Sequence, residues 1–246
     1  MSFNGTHRPW PIAQRPWIMF QRWHDLLFAH WPIPAHVLRP LLPDRLQIEE
    51  FDGSAWIGIV PFRMTSVRLR FTPPVPGFAA FPELNVRTYV TDGDKSGVWF
   101  LSLDAGNPLA VAIARRWYHL PYFRARMACE ANGEGIAYRS ARVHRGAPSA
   151  SLVGRYGPTG PVAEPAASGT FEQWLTERYC LYARDRREGV WRGEIDHAPW
   201  PLQPAEAELQ VDGLTDGWGI SLPPRAPVLH FSRRIDVRAW SLVRIR

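Results

Sequence analysis

Polar and apolar positions alternate most strictly in "FPELNVRTYV", residues 81–90. Leu84, Val86 and Thr88 fall on one side of the alternation; Glu83, Asn85 and Arg87 fall on the other. Successive side chains of a strand point to opposite faces. The spacing therefore predicts a strand that carries an acid, an amide and a guanidinium in one row. Facing water, that row is an ordinary solvated surface. Facing inward, it is a structural polar network or the floor of a binding site. The residues alone leave all three open.

Alternation and turn residues extend the β reading. "RLQIEEF" (45–51) and "SAWIGIVPFRM" (54–64) are strand-like runs joined by Asp52-Gly53, a hairpin signal. "TPPVPGF" (72–78) is a rigid loop, and "TDGDKSG" (91–97) is a turn leading into "VWFLSLDA" (98–105). That partner strand places Ser102 and Asp104 on one face and Leu101 and Leu103 on the other. Asp104 is a candidate ligand or acid–base group, or a cap before Asn107. Residues 124–143 read as a second hairpin around Asn132-Gly133, and "CLYAR" (180–184) as a further strand. The Gly-, Pro-, Ser- and Ala-rich stretch 146–169 reads as loop. The remainder alternates short strands and turns.

Helical spacing is confined to short pieces. Pro34 opens a helix over 34–43 that ends at Pro43. Over 107–118, Asn107 supplies a cap, Pro108 suits the first turn, and Leu109, Ile113 and Trp117 recur at helical spacing. Arg115 and Arg116 suit the negative end of that helix dipole. "HLPYF" (119–123) breaks it, and Thr170 caps a third helix over 171–179. Residues 1–16, with Pro9, Pro11 and Pro16, read as an extended arm. No composition shift marks a boundary, so residues 1–246 read as one domain.

Composition narrows the function. The chain has 246 residues, 46% hydrophobic, with 24 prolines and 19 glycines, enough for a large turn-rich β core. The net charge is +6, yet the arginines sit beside acids, as in Glu177-Arg178 and Asp185-Arg186, and form no basic tract. Nucleic acid is therefore not an expected partner. Two cysteines, Cys129 and Cys180, give neither a metal spacing nor a disulfide framework. No metal motif, Gly-rich phosphate loop or nucleophile elbow appears, so no cofactor is expected. No stretch has the length to span a bilayer, and the first residues lack an apolar signal core, which points to the cytoplasm without a membrane partner. A homo-oligomer is compatible with the sequence.

The ordered blocks "LLFAHWPIPAHVLRPLLP", "FDGSAWIGIVPFRM", "FPELNVRTYV", "GVWFLSLDA", "ARRWYHLPYFRARM", "LTERYCLYA" and "HAPWPLQ" together resemble the YqjF-like family, a bacterial domain-of-unknown-function family. That family is similar in fold to the acetoacetate-decarboxylase-like superfamily. The resemblance implies a mainly β (α+β) protein: a large antiparallel β-barrel with a central cavity and a few covering helices. Glu83 matches the place where the decarboxylases keep a pocket glutamate. Tyr122 and Phe123 stand where those enzymes carry their paired lysines.

The missing lysines matter chemically. A Schiff-base amine must be unprotonated, and only about one free lysine in a few thousand is so at neutral pH. The chain's one lysine, Lys95, lies beside Asp92 and Asp94, which favour the ammonium form. Schiff-base decarboxylation is therefore not expected. The expected catalytic residues are Glu83 as acid–base group, with Tyr122 or His119 as hydrogen-bonding partner. Asn85, Arg87, Asp104, Arg178 and His197 are the expected ligand contacts, Arg87 by a bidentate grip on a carboxylate. Arg178 could instead form a structural pair with Glu177. Two functions compete: a lysine-independent enzyme acting on a small organic acid or carbonyl compound, and a non-catalytic metabolite-binding or sensing barrel.

Overall fold

A computed structural model describes residues 7–74, 77 and 79–245. Of the predicted arm, residues 1–6 lie outside the described residues, as do 75, 76 and 78 of the 72–78 loop. In chain order the elements are β1 (Met19–Ile33), α1 (Ala35–Leu38), β2 (Gln47–Ile48), β3 (Ala55–Leu69), β4 (Phe81–Asp92) and β5 (Lys95–Ala105). Then come α2 (Pro108–Trp117), β6 (Tyr122–Asn132), β7 (Gly135–Arg142), β8 (Ser151–Pro158) and α3 (Phe171–Thr176). The chain continues with β9 (Cys180–Arg184), β10 (Val190–Asp196), β11 (Gln203–Asp212), β12 (Val228–Ala239) and β13 (Val243–Arg244).

The strands form one sheet, ordered β13-β10-β9-β5-β6-β7-β8-β11-β12-β1-β3-β4-β2, with further pairings of β4 to β5 and β10 to β12. Those extra pairings turn the sheet back on itself. Most neighbours are antiparallel, but β5 runs parallel to both β6 and β9, so the sheet is mixed rather than purely antiparallel. β5 bonds to β9 at Val98 and Trp99 and to β6 at Leu103–Ala105. One strand thus feeds two circuits, one through β9 and β10, the other through β6, β7, β8 and β11.

This fork explains why both faces of β4 are buried. Leu84, Val86 and Val90 join a dry core with Ile136, Tyr138, Leu152, Tyr156 and Phe231. Each such side chain contributes about 1.5–3 kcal/mol on burial. Glu83, Asn85 and Arg87 take the opposite face and are buried too. The polar row looks inward.

Local chemistry sets the shorter elements. The Asn107 side chain accepts from the N–H groups of Leu109 and Ala110, which starts α2 as predicted. Thr170 caps α3 through Gln173 N–H, and that helix ends at Thr176, earlier than expected. The stretch 146–169 is not all loop: it contains β8, whose Leu152 and Tyr156 are buried. Its glycines allow close packing, since a Cβ at Gly157 would lie 2.9 Å from the Cα of Gly135. The predicted arm docks rather than hangs free from residue 7 onward. Arg8 bonds Asp196 at 2.8 Å and Trp10 is buried. Among the described residues no helix is long and apolar enough to cross a membrane.

Candidate active site

The polar face of β4 lines a cavity of about 140 Å³. Its walls are mostly apolar, from Leu26 on β1, Val60, Phe62 and Met64 on β3, Phe100 and Leu103 on β5, and Ile113 and Ala114 on α2. Pairing register orders the floor. Phe81 lies beside Met64, Glu83 beside Phe62, Asn85 beside Val60, and Arg87 beside Gly58. On the other side a bulge puts Phe100 opposite Arg87 but Ser102 opposite Val86, so Leu101 is the extra residue. The bulge switches the cavity-facing set on β5 from Leu103 to Phe100 and Val98.

Glu83 is 2% exposed. Burial raises its carboxyl to about 8, against smaller opposing contributions from hydrogen bonds with Tyr122 and Asn85. Glu83 is thus mainly the neutral acid at pH 7. Tyr122 Oη donates to Glu83 Oε2 at 2.9 Å, and burial keeps that phenol protonated by pushing it well above its ordinary value. Tyr138 Oη fixes the strand beneath by donating to the Glu83 carbonyl at 2.7 Å.

Arg87 is a buried cation whose contacts carry no formal charge. Its Nη2 donates to Tyr89 Oη at 3.2 Å, and its guanidinium lies 5.3 Å from the Phe28 ring centre and 5.6 Å from that of Tyr89. Its Nε has no hydrogen-bond partner among the described residues. Tyr89 Oη lies 2.6 Å from His30 Nε2. Burial, aided by Arg87, holds His30 well below its ordinary value, so it is a neutral imidazole. Gly58 makes this arrangement possible: a Cβ there would sit 2.6 Å from His30 Nε2.

Arg178 and His197 complete the polar end. Arg178 is not paired with Glu177; it forms an ion pair with Glu49 and donates from Nε to the Trp174 carbonyl at 2.6 Å. Glu177 instead accepts from Tyr179 Oη and from Trp200 N–H. His197 lies 2.8 Å from the Ala198 carbonyl and 3.3 Å from that of Arg178, and burial lowers its pKa. The thiol of Cys180, also on the cavity wall, is pushed by burial up to about 12, which leaves it unreactive.

Two expected residues fall elsewhere. Asp104 points away from the cavity and is gripped by Arg142 through two bonds of 2.8 and 3.3 Å. His119 takes the left-handed position just past α2 (φ 53°), and its ring lies 5.6 Å from Trp191. Its side chain lines a separate groove with Trp99, Pro121 and Tyr182, so Tyr122 alone of that loop bonds Glu83. Lys95 pairs with Glu194 at 3.3 Å, outside the cavity. Sequence reasoning did not find the His30–Tyr89 pair, whose members lie 59 positions apart. Nor did it find the walls from Trp23 and Tyr118, whereas the rigid Ala198–Pro201 stretch beside His197 does wall the cavity through Trp200. Tyr89 was legible as the next cavity-face position after Arg87; His30 carried no signal.

The DUF2071 family, described as an uncharacterized conserved protein, matches residues 20–236. The protein YqjF of Bacillus subtilis (strain 168), itself described as uncharacterized, is 46% identical over 228 residues, 92% of each chain. Among solved structures, an acetoacetate decarboxylase from Legionella pneumophila aligns with TM-score 0.67 at 10% identity, covering 99% of this chain and 94% of that one. The enduracididine biosynthesis enzyme MppR, complexed with pyruvate, aligns with TM-score 0.63 at 12% identity, covering 95% of this chain and 91% of that one. At such identities these likenesses establish the fold alone. The family match and the close bacterial relative together place the chain in the DUF2071 family, on an acetoacetate decarboxylase-like fold.

Proposed function

We propose that this chain is a lysine-independent enzyme acting on a small organic acid that carries a carbonyl group. The observation that carries this reading is Glu83: a buried carboxyl with a pKa of about 8, oriented by Tyr122, on the same cavity floor as Arg87. Near neutral pH both of its protonation states are accessible, which suits a group that takes and returns a proton. Arg87 holds the substrate carboxylate. The ionised Glu83 removes a proton from the carbon beside the carbonyl, and the acid form returns it. A fold neighbour complexed with pyruvate, a 2-oxo acid, supports this substrate chemistry. The competing non-catalytic reading calls for Glu83 and Arg87 to be locked together. Each is held separately, Glu83 by Tyr122 and Arg87 by Tyr89, and they form no ion pair among the described residues.

The test is exchange of carbon-bound hydrogen for deuterium in short 2-oxo and 3-oxo acids, followed by NMR in D2O. The wild-type protein should catalyse exchange, faster as pH rises towards about 8. Glu83→Gln should lose at least about 10²-fold while staying folded, with a melting temperature no lower than that of the wild type. No exchange by the wild type, or full exchange by the variant, would refute the reading.

A further inference from the structure

The cavity has two chemically distinct ends, and Glu83 stands between them. The deep end holds four buried polar atoms without hydrogen-bond partners among the described residues: Arg87 Nε, Arg178 Nη2, Asn85 Oδ1 and Trp200 Nε1. All four residues line the same space. Three are donors and Asn85 Oδ1 is an acceptor; buried polar groups are ordinarily satisfied, so such a concentration marks groups waiting for a ligand. The two guanidiniums lie on one aromatic ring, Arg87 at 5.6 Å and Arg178 at 4.8 Å from the centre of Tyr89.

Charge accounting fixes the valence of that ligand. Arg178 is neutralised by Glu49. Burial holds His30 and His197 in the neutral direction, and Glu83 likewise. Among the described residues that line the cavity, Arg87 is left as the one cation without an ion-pair partner, which matches one negative charge and disfavours two. Beyond Glu83 the wall becomes apolar: Phe81 beside Met64, with Val67 on β3 and Ile113 on α2. Ile113 and its neighbours Ala114 and Tyr118 are half-exposed, so this end faces the solvent.

We propose that the cavity takes a monocarboxylic acid with an apolar tail, its head between Arg87 and Arg178 and its tail along Val67, Phe81 and Ile113. This rests on the reading of Arg87 as the carboxylate anchor, and it adds Arg178 as second donor and a chain-length preference. The reacting carbon then lies near Glu83, between head and tail.

The experiment is calorimetric titration of the full chain at pH 7 with straight-chain monocarboxylates of increasing length, their primary amides, and matching dicarboxylates. Affinity should rise about fourfold per methylene until the tail fills the cavity. Amides and dicarboxylates should bind at least tenfold more weakly. Arg87→Met should erase the preference for acid over amide yet keep the length dependence. Ala114→Trp, at a half-exposed helical position where folding is tolerant, should shorten the preferred tail and keep the acid preference. Affinity independent of length, stronger binding of dicarboxylates, or no binding at all would overturn the inference. Deuterium exchange on the shortest oxo acids, lost in Glu83→Gln, would then still stand for the catalytic reading. Conversely, acids that bind as described to a protein that exchanges nothing would refute catalysis and uphold this ligand class.

Discussion

Asp104 on β5 and Arg87 on β4 are both buried charges on adjoining strands, and their surroundings differ in kind. Asp104 accepts two bonds from Arg142, with the side chains 1% and 3% exposed. Arg87 is also buried, yet among the described residues it meets a phenol and two aromatic faces, and its Nε has no hydrogen-bond partner there. A buried ion is stable when matched and costly when not. The first arrangement is complete within the protein. The second leaves hydrogen-bonding capacity unused among the described residues. Charge, which is legible in the sequence, and burial, which is not, are shared by both; the difference lies in whether the hydrogen-bonding capacity is used.

Glu83 tests that comparison most strongly. Its carboxyl is raised from 4.5 to about 8 in the folded chain, so the folded state binds more protons than the unfolded state between those values. Its stabilising contribution is full below about 4.5 and lost as pH rises to about 8. Relative to Glu83→Gln, the wild type should lose on the order of 5 kcal/mol across that range, measured by urea unfolding at a series of pH values. A constant difference between the two proteins would show that Glu83 is not held neutral.

Next in size is Asp104→Ala, which strands Arg142 in the interior. It should cost about 3–5 kcal/mol and leave ligand affinity of the remaining folded protein unchanged. The double substitution Asp104→Leu with Arg142→Met should recover most of that loss. Gly58→Ala comes third. Its methyl collides with His30 and should cost about 1–3 kcal/mol, with loss of ligand affinity because Tyr89 and Arg87 shift. The smallest change in stability is expected for Arg87→Met, within about 1 kcal/mol in denaturant titration, since it removes an unmatched charge while breaking no ion pair. If Arg87→Met proved as costly as Asp104→Ala, the two sites would be alike and the contrast would fail.

Much of the site was legible because a strand has period two. Once one of Glu83, Asn85 and Arg87 was inward, all were. The Asn107 cap and the Asn132-Gly133 turn were legible because their chemistry is local. What failed was non-local or conformational. The orientation of Asp104 followed from Arg142, on a strand paired elsewhere. The left-handed backbone at His119 turned that side chain away from the cavity. Residues 151–158 form a strand despite their glycines because neighbouring backbones approach too closely for larger residues. The 15-residue β1 carried no clean alternation; its register on β3 shifts between His24 and Ala29, which breaks the period on which such a reading depends.

The fork in β5 has a consequence for motion. Its two halves bond to different strands on one edge while β4 runs along nearly the whole of the other. Neither circuit can peel open at β5 without disturbing the strand that floors the cavity. Ile113, Ala114 and Tyr118 of the α2 segment, by contrast, lie outside every ladder and are half-exposed, so the cavity wall they form is not tied to that seam.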